Sequence, residues 1–401
     1  MAERTVSLAE LVDENQIEVG AGRPRSVSQE LPILRVADVL DGKIGSPDFS
    51  PSLESYDSGD HGPKVSRPGD IVLTVKGTVG RVALIPGEAP RYAYSPQLCY
   101  FRPRADGPLM ARYLYYWFRS ADFWTQANAL KGQTDMADFI SLGDIFSLKL
   151  RVPSRSQQED VVSVLGGLDD KIAVNECIAA KSLDLADAQF YRASRGLEFS
   201  AETFGSVAAV VGGGTPSTKV EDYWGGGIAW TTPSDVTALS SPYLFETGRT
   251  ITAAGLDNCA SQLYPAHSIF MTSRATIGAF ALPQIPAAVN QGFIVVLPPS
   301  DEMRWWLLHE MRSRVDEMIS LANGSTFLEL SRKNFKAMSI RLPSGESLIK
   351  FARIAAPLHQ RAAQASAEIR ALSALRDTLL PQLMSGKLRV RDVERSVEDA
   401  V

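Results

Sequence analysis

Two short stretches of the sequence each place a cation and hydroxyl groups between runs of apolar residues. Residues 73–84 read LTVKGTVGRVAL, and residues 271–282 read MTSRATIGAFAL. In each stretch a glycine beside the polar residues permits the tight turn of a β-hairpin. Lysine, arginine and hydroxyl side chains bind phosphate oxygens and base edges. The stretches are therefore candidates for contacts with nucleic acid, and the alternative for any one residue is an ordinary hairpin with a solvated cation.

Carboxamide side chains follow both stretches and could make a second kind of base contact. Asparagine and glutamine can form two hydrogen bonds with adenine, whereas lysine and arginine favour guanine. Gln97 follows the first stretch, Asn290 and Gln291 follow the second, and Arg91 and Tyr94 lie close to Gln97 in the sequence. The candidate DNA-contacting residues are Lys76, Thr78, Arg91, Tyr94, Gln97, Ser273, Arg274, Thr276, Asn290 and Gln291.

The sequence contains no recognisable catalytic or metal-binding motif. Its four histidines do not have HExxH spacing, and its three cysteines form no CxxC pair, which excludes a cysteine-based zinc site. The glycine run in VVGGGTPSTK (210–219) matches neither GxxxxGK[ST] nor GxGxxG. Residues 297–300, LPPS, lack the asparagine and the aromatic residue with which amino methyltransferases hold a flipped base. We therefore expect no catalytic residues, no metal and no cofactor in this chain.

Composition indicates a globular protein of two or three domains, since 45% of the 401 residues are hydrophobic and 22% are charged. The start, MAERTVSLAE, is charged where a signal peptide needs an apolar run, and no segment resembles a membrane span, so we expect a cytoplasmic location. The net charge of −5 argues mildly against nucleic acid as a partner. Residues 157–191 alone carry seven acids and two lysines, however, which leaves the rest of the chain neutral and able to hold basic patches.

The similarity between the two stretches extends to their flanks. The same order of motifs in both halves indicates duplication of a whole domain. The aromatic-rich segments 109–124 and 302–319 have a helical pattern. The matching segments are 32–42 and 228–238, 67–73 and 264–271, 95–103 and 290–298, 109–124 and 302–319, and 147–154 and 339–344.

Each half ends in a segment whose apolar residues recur about every 3.5 positions, which is typical of a long helix in a coiled coil. These helices are predicted over about 155–192 and 345–384. Two matching apolar seams suggest that the helices pair with each other, and the alternative is two independent helices that each pack on their own domain. The seam residues, which are also the candidate partner-binding residues, are Leu165, Leu168, Ile172, Ile178, Leu185, Phe351, Leu358, Ile369, Leu372 and Leu379.

Glycine and proline interrupt the two helical patterns. Gly166 and Gly167 are expected to weaken the first helix locally, and Pro381 is expected to end the second. The charged tail 389–401 is expected to fray. The acidic first helix should face protein, because its charge would repel DNA.

The predicted fold class is α/β (α+β), with two tandem duplicated domains and two long antiparallel coiled-coil helices. The domains are predicted at 1–150 and 200–343, the first long helix within 151–199, and the second helix and tail within 344–401.

With these residues laid out, the chain resembles the specificity subunit (HsdS) of type I restriction–modification systems over almost its whole length. The closing LLPQLMSGKL is the most specific motif. The segments that carry the resemblance are 67–86 (RPGDIVLTVKGTVGRVALIP), 152–178 (VPSRSQQEDVVSVLGGLDDKIAVNECI), 212–236 (GGGTPSTKVEDYWGGGIAWTTPSDV) and 375–390 (LRDTLLPQLMSGKLRV).

The resemblance implies a non-catalytic DNA-binding subunit of a methyltransferase/endonuclease complex. In that family, two target-recognition domains each read half of a split site in double-stranded DNA, and the helices hold them apart and bind two methyltransferase subunits. Restriction/translocase subunits join through the complex, and S-adenosylmethionine, ATP and magnesium are expected on the partners. A helix of ~37 residues is ~55 Å long, more than one duplex turn of ~34 Å. The alternatives are the specificity subunit of another methylation-based defence complex, or a duplicated α/β enzyme.

Overall fold

The computed structural model describes residues 4–22, 33–40, 42–45, 65–89, 91–130, 132–133, 138–323, 328–388 and 390. All of the tail predicted to fray, except residue 390, lies outside the described residues. The chain divides into two compact units. The first unit comprises Met1–Asp170 and Leu372–Val401, and the second comprises Lys171–Ala371.

The first unit is built around an antiparallel sheet of four strands. Their spatial order is Ile17–Ala21, Leu98–Pro103, Ile71–Thr74 and Val82–Leu84. One face packs on helices through an aromatic core that includes Phe101, Phe118 and Phe123, all 0% exposed. The other strands of this unit are Arg4–Ser7, Ile33–Leu34, Val39–Leu40, Lys43–Ile44, Ala93–Tyr94, Gly132–Gln133, Asp138–Phe139 and Lys149–Val152, and its short helices are Leu8–Asp13, Val36–Asp38, Ala111–Phe118, Ala121–Leu130 and Leu142–Ser147.

The second unit repeats this sheet. The order Ala209–Val211, Phe293–Leu297, Ile269–Thr272 and Phe280–Pro283 reproduces the four strands of the first unit, and Tyr243–Leu244 adds a parallel edge strand. A second sheet pairs Arg249–Ile251, Trp224–Thr231 and Ala287–Val289. The remaining strands are Phe199–Thr203 and Ser339–Arg341, and the short helices are Phe204–Val207, Glu221–Tyr223, Pro233–Thr237, Ala253–Asp257, Asp301–Arg312, Val315–Ser320 and Arg332–Ala337.

Local details confirm the predicted duplication. In the first unit Ile33–Leu34 pairs in parallel with Ala93–Tyr94, and in the second unit Ala229–Thr231 pairs in parallel with Ala287–Val289. An aspartate follows each first strand and caps the next turn. Asp38 accepts a hydrogen bond from Arg35 N at 2.7 Å, and Asp235 accepts one from Thr232 N at 2.7 Å.

Two helices of 40 residues complete the fold: long helix 1, Arg155–Ser194, and long helix 2, Gly345–Met384. They run antiparallel to each other, as the contacts within each unit show. In the second unit the Phe190 and Phe351 rings lie 5.8 Å apart, and in the first unit Arg376 Nη1 donates to Asp169 Oδ1 at 2.9 Å. The helices therefore pair with each other, and the two ends of the pair also pack into the hydrophobic cores of the units.

The seam of the helix pair differs in part from the prediction. Among the predicted residues, Leu165, Ile172 and Phe351 are buried, while Leu185 is 47% exposed. In that turn of long helix 1 the buried position is Ala186, one residue further on. The half-buried members of the predicted seam are Leu168, Ile178, Leu358, Ile369, Leu372 and Leu379.

Gly166 and Pro381 interrupt neither long helix, so the prediction that Pro381 ends the second helix is wrong. Long helix 1 is continuous through Gly166, whose missing side chain makes room for Arg112: a Cβ there would lie 3.0 Å from Arg112 Nη1. Arg112 in turn pairs with Asp170, one turn further along the same helix. Long helix 2 passes Pro381 and ends at Met384, and Gly386, with φ of +71°, turns the chain away.

None of the helices among the described residues is both long and apolar enough to span a membrane.

A chain of buried hydrogen bonds joins the second domain to both long helices. Tyr243 Oη lies 2.9 Å from His359 Nδ1, and His359 Nε2 lies 2.9 Å from His309 Nε2. His309 Nδ1 lies 2.6 Å from Asp187 Oδ1, and Arg312 donates to Asp187 Oδ2 at 2.8 Å. Every bond has one donor when both histidines are neutral: the Tyr243 hydroxyl donates to His359, His359 to His309, and His309 to Asp187.

Burial favours this neutral state. It lowers the pKa of His309, although the hydrogen bond to Asp187 opposes the shift. Burial, reinforced by the nearby His309 and Arg312, lowers the pKa of His359 to about 2. The pKa of Asp187 is also lowered: burial raises it, but the hydrogen bonds from His309 and Arg312 outweigh that effect.

Acid should therefore destabilise the protein well above the range in which carboxylates titrate. The unfolded histidines take up protons near pH 6.5 while the folded ones resist, so stability is complete above that pH and falls as the pH drops below it. We expect a loss of up to ~1.4 kcal/mol per pH unit for each histidine, measured by urea unfolding between about pH 7.5 and 5.5.

The variant His359→Gln should lose part of this pH dependence, whereas His267→Gln, which lies outside this chain of hydrogen bonds, should keep it. Equal pH dependence in the wild type and in His359→Gln would contradict the assignment.

Candidate nucleic-acid interface

The loop of the first predicted hairpin, between Ile71–Thr74 and Val82–Leu84, is held by a threonine. Thr74 N donates to Arg81 O at 2.9 Å, and Arg81 N donates back to Thr74 Oγ1 at 2.9 Å. Gly80 N donates to Thr74 O at 2.9 Å. Three bonds at one residue close the hairpin and leave the residues between to form its tip.

The second hairpin, between Ile269–Thr272 and Phe280–Pro283, has the same set of bonds. Thr272 N donates to Ala279 O at 2.9 Å, Ala279 N to Thr272 Oγ1 at 3.0 Å, and Gly278 N to Thr272 O at 3.0 Å. The threonines and glycines that the two sequence stretches share are therefore the residues that build the turn.

A separate segment clamps each loop from one side. In the first unit Ile140 N donates to Val75 O at 2.9 Å, and Gly77 N donates to Asp138 O at 3.1 Å. In the second unit Leu330 N donates to Ser273 O at 2.9 Å, and Ala275 N donates to Leu328 O at 3.2 Å. Neither loop is a free hairpin tip, because each pairs with a second stretch of backbone.

The clamped loops share an unusual backbone conformation. Gly77 has φ of +84° and its counterpart Ala275 has φ of +59°, a left-handed conformation that is uncommon for a residue with a side chain. Gly80 and Gly278 have φ of +95° and +87°. A Cβ at Gly80 would lie 2.0 Å from the Trp124 ring, and one at Gly278 would lie 2.5 Å from Val315. Each glycine therefore lets its loop pack directly on the helical layer.

This scaffold displays different side chains in the two units. Lys76 and Thr78 are exposed on the first loop, and Arg274 and Thr276 are exposed at the matching places on the second. Arg274 forms an ion pair with Glu329 at 2.9 Å, and its side chain is 44% exposed. Partial exposure leaves the guanidinium accessible while the carboxylate orients it.

Two predicted contact residues belong to the core instead. Ser273 is 3% exposed and Tyr94 is 1% exposed. The Tyr94 hydroxyl donates to Asp70 Oδ2 at 2.7 Å, and Arg102 also binds Asp70, through two bonds of 2.6 and 2.7 Å. Burial, together with Asp70, raises the pKa of Tyr94. Both side chains are therefore buried and do not form part of an exposed contact surface.

The other predicted residues differ in their exposure. Arg91 and Gln97 are exposed, and Gln97 O accepts from Val75 N at 2.9 Å, next to the first loop tip. Gln291 is exposed and Asn290 is half-buried. Asn290 Oδ1 accepts from Gly292 N at 2.8 Å.

The triple-glycine segment contributes a residue that the sequence analysis missed. Thr215 Oγ1 donates to Gln291 Oε1 at 2.6 Å, which orients the carboxamide. Glycine is needed for this approach, because a Cβ at Gly213 would lie 2.0 Å from Val289 O. The glycine run therefore indicates close backbone packing beside Gln291 and does not form a nucleotide-binding loop.

A second missed feature is a cation held on an aromatic face. The Arg249 guanidinium lies 3.6 Å from the centre of the Trp224 ring, and Arg249 is exposed. Trp224 is itself held by a hydrogen bond from its Nε1 to Ser217 O at 3.2 Å. Such a stacked guanidinium is oriented before a ligand arrives. Its two partners are 25 positions apart in the sequence, so no local pattern could reveal it.

Within the part of the chain that the structure describes, no cluster of histidine, cysteine, aspartate and glutamate side chains could hold a metal ion.

Comparison with known proteins gives the class of this fold. Residues 198–357 match the family model of the type I restriction modification DNA specificity domain. The crystal structure of the type I restriction–modification S subunit from M. genitalium aligns with a TM-score of 0.58 and 15% identity, covering 96% of each chain. The fold is therefore that of a restriction–modification specificity subunit.

Proteins that are similar in sequence are also specificity subunits of type I restriction enzymes. The type I restriction enzyme MjaIX specificity subunit of Methanocaldococcus jannaschii is 34% identical over 150 residues, 37% of this chain and 35% of that protein. The EcoR124I/EcoR124II specificity subunit of Escherichia coli is 23% identical over 261 residues, 60% of this chain and 61% of that protein. The matches thus span between 35% and 61% of the relatives' lengths. Residues 198–357 therefore match the specificity-domain family, and the chain is similar to type I restriction enzyme specificity subunits over part of its length.

Adding a methyl group at Gly80 should show how tightly the first loop is packed. Gly80→Ala should lower the free energy of unfolding by ~2–4 kcal/mol, because the left-handed conformation and the contact with Trp124 both oppose a side chain. Gly77→Ala is the matched control. It also has positive φ, but nothing lies within 4 Å of a Cβ there, so only the ~1–2 kcal/mol conformational cost should remain.

Denaturant unfolding of both variants measures the difference. Equal losses would mean that the loop does not depend on its contact with Trp124.

Proposed function

We propose that this chain is the DNA sequence-specificity subunit of a type I restriction–modification complex and has no catalytic activity of its own. The observation that carries the proposal is the pair of clamped hairpin loops, which have the same backbone bonds but display lysine in one unit and arginine in the other. A shared scaffold with different side chains suits two domains that read different base sequences.

Each domain is proposed to contact one half of a split site in double-stranded DNA. Residues 1–150 would form the first target-recognition domain and residues 200–343 the second. The side chains proposed to face DNA are Lys76, Thr78, Arg91 and Gln97 in the first domain, and Arg274, Thr276, Asn290, Gln291, Thr215 and Arg249 in the second.

The long helices are proposed to serve as the spacer and as the docking surface for two methyltransferase subunits. The acids of long helix 1 support a protein partner there, because a surface of that charge would repel DNA. Restriction/translocase subunits would join through the assembled complex. S-adenosylmethionine, ATP and magnesium would be bound by those partners, which would carry out the chemistry.

Removing the loop cations should weaken DNA binding by the assembled complex. If Lys76→Ala or Arg274→Ala removes a phosphate contact, the slope of log affinity against log salt should fall by about one. If it removes a guanine contact, discrimination at one base should fall by ~1–3 kcal/mol. Anisotropy titrations with duplex DNA at several salt concentrations separate the two cases.

The exposed Lys181 of long helix 1, replaced by alanine, is the control for loss of one positive charge away from the loops. Unchanged affinity and unchanged specificity in both loop variants would show that the loops are ordinary hairpins whose cations do not contact DNA.

Exchange of one domain should change half of the target. Replacing residues 200–343 with the matching domain of a relative should alter one half of a bipartite motif and preserve the other half and the gap. Methylome sequencing of cells that carry the complex reads the motif directly. A continuous motif, or a change in both halves, would refute the assignment of one half-site to each domain.

A further inference from the structure

A polar residue occupies the interior of the long-helix pair. Asn175, on long helix 1, is 0% exposed. Its neighbours on the same face of the helix, Ile172 and Ala179, are also buried. Asparagine is a weak helix former, and its carboxamide loses its contacts with water in this position.

The hydrogen bonds of Asn175 are incomplete. Its Nδ2 donates to Glu368 Oε2 of long helix 2 at 2.9 Å, while its Oδ1 has no partner among the described residues. Glu368 is half-buried and also lies near Gln364 on its own helix. A buried carboxamide with an unpaired oxygen stabilises the folded state less than an apolar side chain of similar size would. The residue therefore does not serve to maximise stability.

The duplication shows that this polar layer is present only once. The two long helices begin at Arg155 and Gly345, so residues 190 positions apart are equivalent in the repeat. The counterpart of Asn175 is Ala365 and the counterpart of Glu368 is Ile178. Both counterparts pack with the hydrophobic cluster of the second unit. The Asn175–Glu368 pair thus distinguishes the two helices at this layer.

We infer that the Asn175–Glu368 hydrogen bond fixes the alignment and the partner of the long helices. Sliding one helix along the other would separate the carboxamide from the carboxylate and leave the buried Asn175 without its partner on long helix 2. Pairing with long helix 1 of another copy in the same antiparallel geometry would place Asn175 opposite Ile178. Of these pairings, only that of helix 1 with helix 2 in the observed register forms the hydrogen bond between Asn175 and Glu368. A single buried asparagine sets register and partner choice in coiled coils in this way.

This role bears on DNA recognition, a consequence that rests on the proposed function. A slip of one heptad moves one helix by ~10 Å along the other, which corresponds to about three base pairs of duplex. The polar pair would therefore hold the gap between the half-sites at a single length.

The test measures distances in the free full-length chain. Spin labels are placed on the native, exposed Cys177 of long helix 1 and on Ala367→Cys of long helix 2, with Cys259 replaced by serine and Cys99 left buried. Pulsed electron-spin resonance should give one narrow distance with Asn175 and Glu368 intact. The double variant Asn175→Leu/Glu368→Leu should give a broadened distribution or a second distance, while its melting temperature is unchanged or higher.

A substitution at an apolar residue of the same helix distinguishes an effect on helix alignment from an effect on protein stability. Ile172→Val removes one methyl group from the next layer of the same seam, so it should lower the melting temperature and keep the single distance. One narrow distance in the double variant would overturn the inference, as would equal broadening in Ile172→Val. Because no DNA is involved, such a result would leave the proposed function to its own tests.

Discussion

The antiparallel pairing of two 40-residue helices is the constraint on which the rest of the structure depends. Neither helix belongs to one domain alone. In the first unit Leu165 of long helix 1 and Leu380 and Leu383 of long helix 2 join the core beneath the sheet. In the second unit Phe190 and Phe351 do the same. A change in the helix pair would therefore disturb the support of both sheets.

Within each domain the backbone of the hairpin loop is held in place, while the side chains at its tip differ between the two domains. The backbone of the loop is fixed by a threonine, by a glycine that packs on the helical layer, and by a separate segment of backbone that clamps one side. The side chains at the tip are exposed and differ between the two units. An interface that must discriminate between bases needs donors held at fixed positions, and this division of roles lets the displayed residue change while the fold is kept.

The interior contains more polar groups than stability alone requires. The hydrogen-bonded chain from Tyr243 through His359 and His309 to Asp187 joins one domain to both long helices. Asn175 and Glu368 form a second polar contact in the same helix pair. Hydrogen bonds are directional and apolar contacts are not. These groups therefore favour one arrangement over others that would bury a similar apolar area.

The sequence by itself determined the features that depend on local pattern. The repeated motifs predict the duplication, and the turn glycines predict the positions of the two hairpins. The apolar periodicity and the helix boundaries predict that the long helices start at residues 155 and 345. These properties are encoded within a few residues of where they occur, so a single sequence is enough to find them.

Tertiary structure alone decided which side chains reach the surface and which partners they meet. The sequence pattern predicts surface positions for Ser273 and Tyr94 and a buried position for Leu185. In the structure Ser273 and Tyr94 are buried and Leu185 is exposed. The contacts of Thr215 with Gln291 and of Asn175 with Glu368 join residues 76 and 193 positions apart. Burial and pairing at such separations depend on how whole elements pack, and no local window of the sequence records that packing.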